Sequence, residues 1–511
     1  MKNYTKLLFQ RVVVVSFCIA IQAVFLILGI GVLSGYYRWF SIVMEVLSWI
    51  AVIVIVSNRT DPGYKIAWII PILAFPVFGI LFYLLFGGNR LSRRLKKKMH
   101  AVEQIHRDNL SQDVGVLRRE AALSVDAALQ SNYLAGIACC PVCENTETTY
   151  YGSGEAAFGD MLEAISRAER YIFLEYFIIH TGRMWDEILK LLRKKAAAGV
   201  DVRVIYDDFG CITTLPGGYY KKLEAVGIRA CAFNPYVPVL SSRLNNRDHR
   251  KFLIVDGEVG FTGGVNLADE YINEVRRFGY WKDTGARIEG EAVWSLTSMF
   301  LSMWNYIVHS TEDYSRFMPA QHQKAPFEND GFVQPYGDSP LDHENVGENI
   351  YLNIINRAKN YVYIFTPYLI IDHEMLTALC NAAKDGVDVR IVTPGIPDKK
   401  MIFLLTQSYY APLIQSGVKI YQYTPGFIHA KCFVCDDEIA TVGSVNLDFR
   451  SLYLHFECGV FFYRSAVVAQ VKEDCLNTFA CSEQMTAEFC RNRPVPVRLL
   501  QSVLRLLAPL L

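Results

Sequence analysis

Two stretches decide the reading of this chain: His249-Arg-Lys251-Phe-Leu-Ile-Val-Asp256 and His429-Ala-Lys431-Cys-Phe-Val-Cys-Asp436. After six further residues each is followed by Gly-small-x-Asn, namely Gly263-Gly264-Val-Asn266 and Gly443-Ser444-Val-Asn446. The copies lie 180 residues apart, with histidine, lysine, aspartate, glycine and asparagine at identical spacings. One copy reads equally well as a polar edge hairpin. Two copies at one spacing read as a divided active site.

The surrounding sequence repeats in step. Ala164-Ile-Ser-Arg-Ala-Glu-Arg-Tyr171 has its counterpart in Ile354-Ile-Asn-Arg-Ala-Lys-Asn-Tyr361, and Gly199-Val-Asp-Val-Arg-Val204 in Gly386-Val-Asp-Val-Arg-Ile391. Each copy runs from a helical period into an aromatic, β-branched strand, then an amphipathic helix, a glycine and a second strand. That is a βαβ unit, which implies parallel strands covered by helices. The spacing therefore predicts two copies of one α/β domain, over 149–318 and 331–495, packed as a pseudo-dimer.

Each motif reads as a β-hairpin. With Gly257-Glu258 as a two-residue loop, Lys251 falls opposite Gly264 and His249 opposite Asn266. With Asp437-Glu438 as the loop, Lys431 falls opposite Ser444 and His429 opposite Asn446. Residues two apart on a strand share a face with their cross-strand partners, so imidazole, ammonium and carboxamide collect on one surface. The catalytic set is then His249, Lys251 and Asp256 with His429, Lys431 and Asp436. Gly264, Asn266, Ser444 and Asn446 are expected at the substrate phosphate, and the glycine opposite the lysine leaves room for an anion. Within this set the count puts Asp256 and Asp436 on the far face, as turn formers and supports. A working imidazole needs a carboxylate to fix its tautomer. Asp283 and Glu457, each followed by any residue and glycine, are expected to orient the histidines. Such a site suits phosphodiester chemistry, in which donors stabilise phosphoryl charge and two histidines share attack and proton transfer. The lysines supply the positive charge, so no metal or cofactor is required.

Composition bounds the rest. The chain has 511 residues, 52% of them hydrophobic, and its 51 basic and 51 acidic residues cancel. The balance gives no electrostatic case for nucleic acid. Thirteen cysteines without framework spacing read as reduced core residues. Val12 to Leu33 and Ile66 to Phe86 are uncharged runs long enough to span a bilayer, the latter with Trp68 and Tyr83 as interfacial anchors. Ser41 to Val56 carries Glu45 and is the weakest of three candidate spans. Residues 1–88 are thus expected to hold two to three transmembrane helices. Residues 89–148 are expected to form a basic juxtamembrane linker with helical segments, and 496–511 an amphipathic helix. Arg90, Arg93, Arg94, Lys96, Lys97 and Lys98 mark a cytoplasmic side and would attract anionic headgroups. Three spans would put the amino terminus outside, against its own Lys2, Lys6 and Arg11.

On these residues the chain resembles the phospholipase D superfamily with its twin HxKxxxxD motifs. Asn58-Arg-Thr-Asp-Pro-Gly-Tyr-Lys65, Trp281-Lys-Asp-Thr284, Asn446-Leu-Asp-Phe-Arg-Ser451 and the tail Arg505-Leu-Leu-Ala-Pro-Leu-Leu511 resemble the bacterial cardiolipin synthases within it. The resemblance implies a multi-pass protein of the cell membrane with its catalytic domains in the cytoplasm. It implies transfer of a phosphatidyl group between two phosphatidylglycerol molecules, giving cardiolipin and glycerol, with His249 as nucleophile and His429 as acid and base. A membrane-bound phospholipase D hydrolase, or another phosphatidyltransferase, would use the same residues.

Overall fold

The computed structural model describes residues 20–21, 23–24, 34–58, 61–87, 104–235, 245–319, 327, 331–342 and 344–510. The basic run 90–98 and nearly all of Val12–Leu33 lie outside them. The chain divides into two compact units. One holds residues 1–90, 236–246 and 502–511. The other holds 91–235 and 247–501.

The first unit is helical. α1 (Ser34–Ser57) contains the one helix among the described residues that is long and apolar enough to cross a membrane, Arg38–Ser57. At 1.5 Å per residue its 24 residues reach about 36 Å, against a hydrocarbon core of about 30 Å. The segment ranked weakest in the sequence is therefore the one of spanning length among the described residues. Ile66 to Phe86 does not form one helix. It is divided between α2 (Pro62–Ala74) and α3 (Pro76–Phe86), which meet at Phe75 with φ −138° and ψ 73°. The residue before a proline is pushed out of the helical region, and Pro76 brings no N–H to continue the ladder. α2 and α3 fold back on each other. A Cβ on Gly79 would stand 2.5 Å from the Ile72 Cα, so only glycine permits this approach. The Tyr64 hydroxyl donates to the Gly87 carbonyl at 3.1 Å, which closes the hairpin at its open end. Trp68 is buried inside it against Phe82 and Tyr83, rather than sitting as an outward anchor. With 13 and 11 residues, the two helices reach only about 20 and 16 Å, too short for either to cross.

The second unit contains the duplication. Its first half builds β1 (Thr146–Tyr151), β2 (Tyr171–Tyr176), β3 (Asp201–Asp207), β4 (Arg229–Phe233), β5 (Arg247–Asp248), β6 (Lys251–Val255), β7 (Val259–Gly263), β8 (Tyr280–Lys282) and β9 (Gly285–Gly290). The second half builds β10 (Phe332–Asp338), β11 (Tyr361–Phe365), β12 (Leu369–Ile370), β13 (Asp388–Pro394), β14 (Lys419–Tyr423), β15 (Gly426–Ile428), β16 (Cys432–Cys435), β17 (Ile439–Gly443), β18 (Leu447–Asp448), β19 (His455–Tyr463) and β20 (Ser482–Gln484). The sheets run β1-β9-β7-β6-β2-β3-β4 and β10-β19-β17-β16-β11-β13-β14-β20. Apart from the last strand the two orders coincide, with parallel pairs at β2-β3-β4 and β11-β13-β14.

The central strands are buried throughout, as the apolar runs require. In the first half, α4 (Gly154–Arg167) and α5 (Arg183–Ala197) bury Ile165, Trp185, Ile188 and Leu192 in the core. On the opposite face of the sheet α6 (Val293–Val308) stacks Phe300 on Phe173 at 4.4 Å. Residues of the 89–148 segment pack onto the second half: Ser131 O accepts from Gln334, and the Tyr133 hydroxyl donates to Glu344. At the other end, α7 (Val495–Leu506) exposes Val495, Leu499, Val503 and Leu506 along one side and buries Gln501 and Leu504.

Two short strand pairs join the halves. β5 runs parallel to the start of β19, pairing Arg247 with His455 and Asp248 with Phe456. β15 runs parallel to β8, pairing Phe427 with Trp281 and Ile428 with Lys282. Each half thus lays the strand before its motif histidine against the strand before the other half's acid.

Candidate active site

The hairpins differ from the expected register by one residue. Val255 pairs with Val259 and Cys435 with Ile439, so each loop has three residues. Asp256 and Gly257 have φ of 54° and 72°, Asp436 and Asp437 of 52° and 59°. Glu258 N–H bonds to Val255 O and Glu438 N–H to Cys435 O. Asp-Gly and Asp-Asp are thus the central residues of type I′ turns, and the glutamate is the added residue. The Asp-Gly pair itself forms the turn, one residue earlier than the Gly257-Glu258 loop that the sequence suggests. The lysines consequently stand level with Gly263 and Gly443, not with Gly264 and Ser444.

The turn aspartates point away from the chemistry. Asp256 accepts from the backbone N–H groups of Glu169, Arg170 and Tyr171 at 2.8, 2.7 and 2.8 Å. Asp436 does the same for Lys359, Asn360 and Tyr361 at 2.6, 2.8 and 2.9 Å. Each carboxylate closes the entry to a central strand, β2 or β11. In the structure they are supports, and membership of the catalytic set does not follow from their place.

The histidines and acids meet in crossed pairs. His249 Nδ1 lies 2.8 and 2.9 Å from the two oxygens of Glu457, and His429 Nδ1 lies 2.7 Å from Oδ2 of Asp283. The interdomain strands impose the crossing. His249 N–H donates to Phe456 O at 2.9 Å and His429 N–H to Lys282 O at 2.7 Å, which registers each histidine one step from the opposite half's carboxylate.

The residues after the hairpins shape the acids' surroundings. A Cβ on Gly264 would fall 2.0 Å from Asp283 Oδ1, so its missing side chain is the room for that carboxylate rather than an open gap. The Ser444 hydroxyl, fully buried, donates to Glu457. Asn266 is committed too: Oδ1 accepts from Ile178 N–H at 3.0 Å and Nδ2 donates to the Tyr271 hydroxyl at 2.8 Å. Among the four residues expected at the phosphate, only the Asn446 side chain keeps a buried oxygen without a partner.

Lys251 and Lys431 are each 1% exposed, and each ammonium donates to the carbonyl of its own motif histidine. Burial lowers them, Lys251 to about 8 and Lys431 to about 7, against the attraction of Glu457 and Asp283. Burial likewise lowers His249 to about 3 and His429 to about 4, partly offset by their carboxylates. Burial pushes Asp283 and Glu457 up, but the histidines and lysines overcome it and hold both below the usual range. The free site therefore holds neutral imidazoles whose Nδ1–H donates to an ionised carboxylate, which leaves Nε2 as the basic atom. Lys431 also stands 2.9 Å from His429 Nδ1. A nitrogen that gives its proton to Asp283 cannot accept from the lysine, so that approach is an electrostatic contact.

Sequence reasoning passed over one residue here. The sequence gives His455 no role, yet its ring lies 5.5 Å from that of His249. The signal was its position two residues before Glu457 on one strand, hence on the same face.

Residues 161–292 and 351–477 match the family described as cardiolipin synthase, PLD-like domain, and 46–88 match the phospholipase D-nuclease N-terminal family. A cardiolipin synthase of Geobacillus kaustophilus is 36% identical over 479 residues, covering 92% of this chain and 94% of its own. The chain belongs to the cardiolipin synthase family of phospholipase D-like proteins. An uncharacterised protein of Streptococcus mutans is 44% identical over 462 residues, covering 90% of this chain and 99% of its own. The solved phosphatidylserine synthase of Haemophilus influenzae shares the fold at TM-score 0.54 and 16% identity, covering 71% of this chain and 95% of that one. The duplicated α/β fold is therefore that of the family, with one apolar helix of spanning length among the described residues before it.

Proposed function

We propose that this chain is a cardiolipin synthase, moving a phosphatidyl group from one phosphatidylglycerol to a hydroxyl of a second through a phosphohistidine. The observation that carries this reading is the crossed pair of histidine–carboxylate dyads, each beside a buried lysine. One neutral imidazole attacks phosphorus through Nε2. The other, protonated once the anionic phosphodiester is bound, gives its proton to the departing glycerol oxygen. The hydroxyl of the second lipid then returns a proton to that imidazole as its oxygen displaces the first histidine from phosphorus. Lys251 and Lys431 neutralise charge on the phosphoryl oxygens, and Asn446 is the carboxamide free to contact substrate. Asp283 and Glu457 hold the tautomers and stabilise the imidazolium.

The same reading places the protein in the cell membrane, with anionic phospholipid as substrate and surroundings. α1 crosses the bilayer, and the α2–α3 hairpin enters and returns on one side, because its ends are tied together and neither arm is long enough to cross. With Val12–Leu33 as a first span, the count of crossings becomes two. Lys2, Lys6 and Arg11 then share the cytoplasmic side with the basic run 90–98 and the catalytic halves. The conflict that three spans create is removed.

Membranes from cells expressing the chain, given labelled phosphatidylglycerol, test the activity. Cardiolipin and glycerol in equal amounts are expected. Phosphatidic acid as the main product would show a hydrolase instead, and His249→Ala or His429→Ala with full activity would refute the mechanism.

A further inference from the structure

The surroundings of the two motif histidines are not copies of each other. His455 has a side chain only 10% exposed, neither ring nitrogen has a hydrogen-bond partner, and Nδ1 stands 3.7 Å from Oε1 of Glu457. Ligating atoms of His249, His455 and Glu457 all lie within 4.8 Å of one another. The corresponding place in the first half, two residues before Asp283, belongs to Trp281, whose ring lies 5.4 Å from that of His429. Its indole packs on Phe427 at 4.7 Å. One histidine therefore has an imidazole as neighbour and the other an indole within an aromatic stack.

A second difference falls in the same half. Asn266 uses its carboxamide on Ile178 and on Tyr271, five residues later. Five residues after Asn446 stands Ser451 instead. Asn446 Oδ1 and Ser451 Oγ are both buried without a partner. The second half leaves an imidazole, a carboxamide oxygen and a hydroxyl open where the first half leaves only the indole N–H of Trp281 without a partner and completes the hydrogen bonds of Asn266. Buried polar groups lower stability unless a ligand or water meets them.

The open atoms select their ligand by chemistry. His455 Nδ1 faces the Glu457 carboxylate at 3.7 Å, so Nε2 is the nitrogen left for a ligand, an acceptor when Nδ1 carries the proton; the indole of Trp281 offers a donor alone. A phosphodiester only accepts hydrogen bonds, whereas an alcohol hydroxyl both gives and accepts. We propose that His455 binds the alcohol of the reaction, the glycerol headgroup as it leaves and the accepting hydroxyl as it enters. The proposal rests on the phosphatidyl-transfer reading above.

Because this seat lies beside His249, His249 is the proton carrier and His429 the nucleophile, the reverse of what the family resemblance implies. The His429–phosphorus bond forms as the phosphorus–glycerol bond breaks, and a proton passes from His249 to the glycerol oxygen. The acceptor oxygen then bonds to phosphorus, its proton goes to His249, and His429 is released. His455 holds the hydroxyl throughout and exchanges no electrons or net protons.

The test uses the full chain with phosphatidylglycerol vesicles and compares His455→Trp, which copies the other half, with His455→Asn, which keeps a donor and an acceptor. Product ratio, lipid consumption and the KM for added labelled glycerol in the exchange reaction are measured together. In the Trp variant the cardiolipin-to-phosphatidic-acid ratio is expected to fall about tenfold, the loss of one or two hydrogen bonds, and lipid consumption falls as well, because the same seat holds the departing glycerol. The KM for glycerol rises by a similar factor, and the Asn variant recovers most of both effects. Mapping of the adduct after an alkaline quench, which spares the phosphorus–nitrogen bond that acid would cleave, is expected to find it on the peptide carrying His429. An unchanged ratio in the Trp variant, an equal collapse of all turnover in both variants, or an adduct on His249 would overturn the proposal. A wild-type chain that makes no cardiolipin at all would instead overturn the underlying transfer reading.

Discussion

Replacing Glu457 by Gln tests the crossed dyad most directly. The substitution keeps the side chain's shape and removes its charge. In the native site one His249 N–H faces both carboxylate oxygens at 2.8 and 2.9 Å, so the contact counts as a single charge-assisted hydrogen bond. Such a bond contributes about 1.5–3 kcal/mol, which is roughly a ten- to 150-fold effect on any step that charges the imidazole. The amide can also present its NH2 to Nδ1 and select the wrong tautomer. In a Ser-His-Asp triad that error costs about 10⁴ in kcat. The expected loss for Glu457→Gln is therefore about 10²–10⁴ in kcat, with KM for phosphatidylglycerol changed far less. Single-turnover assays on vesicles read the loss. The partner assignment is read separately by double-mutant cycles on thermal unfolding. Glu457→Gln should couple to His249→Ala by about 1 kcal/mol or more and be additive with His429→Ala. Coupling to His429, or a variant within tenfold of wild-type kcat, would refute the crossed arrangement.

Other expectations follow from the same geometry. Asp283→Asn should impair the enzyme to a degree similar to Glu457→Gln, and Gly264→Ala should do so through the 2.0 Å encounter with Asp283, read as lost kcat in a folded protein. Asp256→Ala or Asp436→Ala leaves three backbone donors without their acceptor. Each should cost about 1–3 kcal/mol of stability in a thermal melt yet change kcat per folded molecule little. Lys431 and Lys251 are charged below about 7 and about 8, so kcat/KM should fall as pH rises through that window. A profile flat to pH 10 would exclude their role as the site's positive charge. Sidedness reporters fused after Asn58 and after Asn89 should report the same face of the membrane; opposite faces would show that 62–86 crosses once.

How much of this was legible beforehand depended on the range of the interaction. The duplication, the parallel core strands and the set of histidines, lysines and acids rest on local periodicity and repetition, which a sequence displays openly. The three-residue loops did not, because Asp256 and Asp436 take left-handed φ values, and which residues of a turn adopt them shifts a hairpin by one. The crossing of the dyads was hidden for a different reason. It depends on β5 joining β19 and β15 joining β8, pairings of two or three residues between distant segments with no signature of their own. In the membrane region, Ile66 to Phe86 reads as one uncharged spanning helix. Phe75 and the close approach at Gly79 instead turn that run back on itself.

The two domain-joining strand pairs carry a consequence for how such a site can diverge. An assembly of two identical single-domain chains must repeat every substitution on both sides of its axis. Here each dyad is finished by a residue from the other end of one polypeptide, so the two surroundings are inherited together yet mutate separately. That arrangement is what allows an indole beside one imidazole and a second imidazole beside the other. In the proposed reaction the two sides then take different parts, one bonding to phosphorus and the other serving the alcohol.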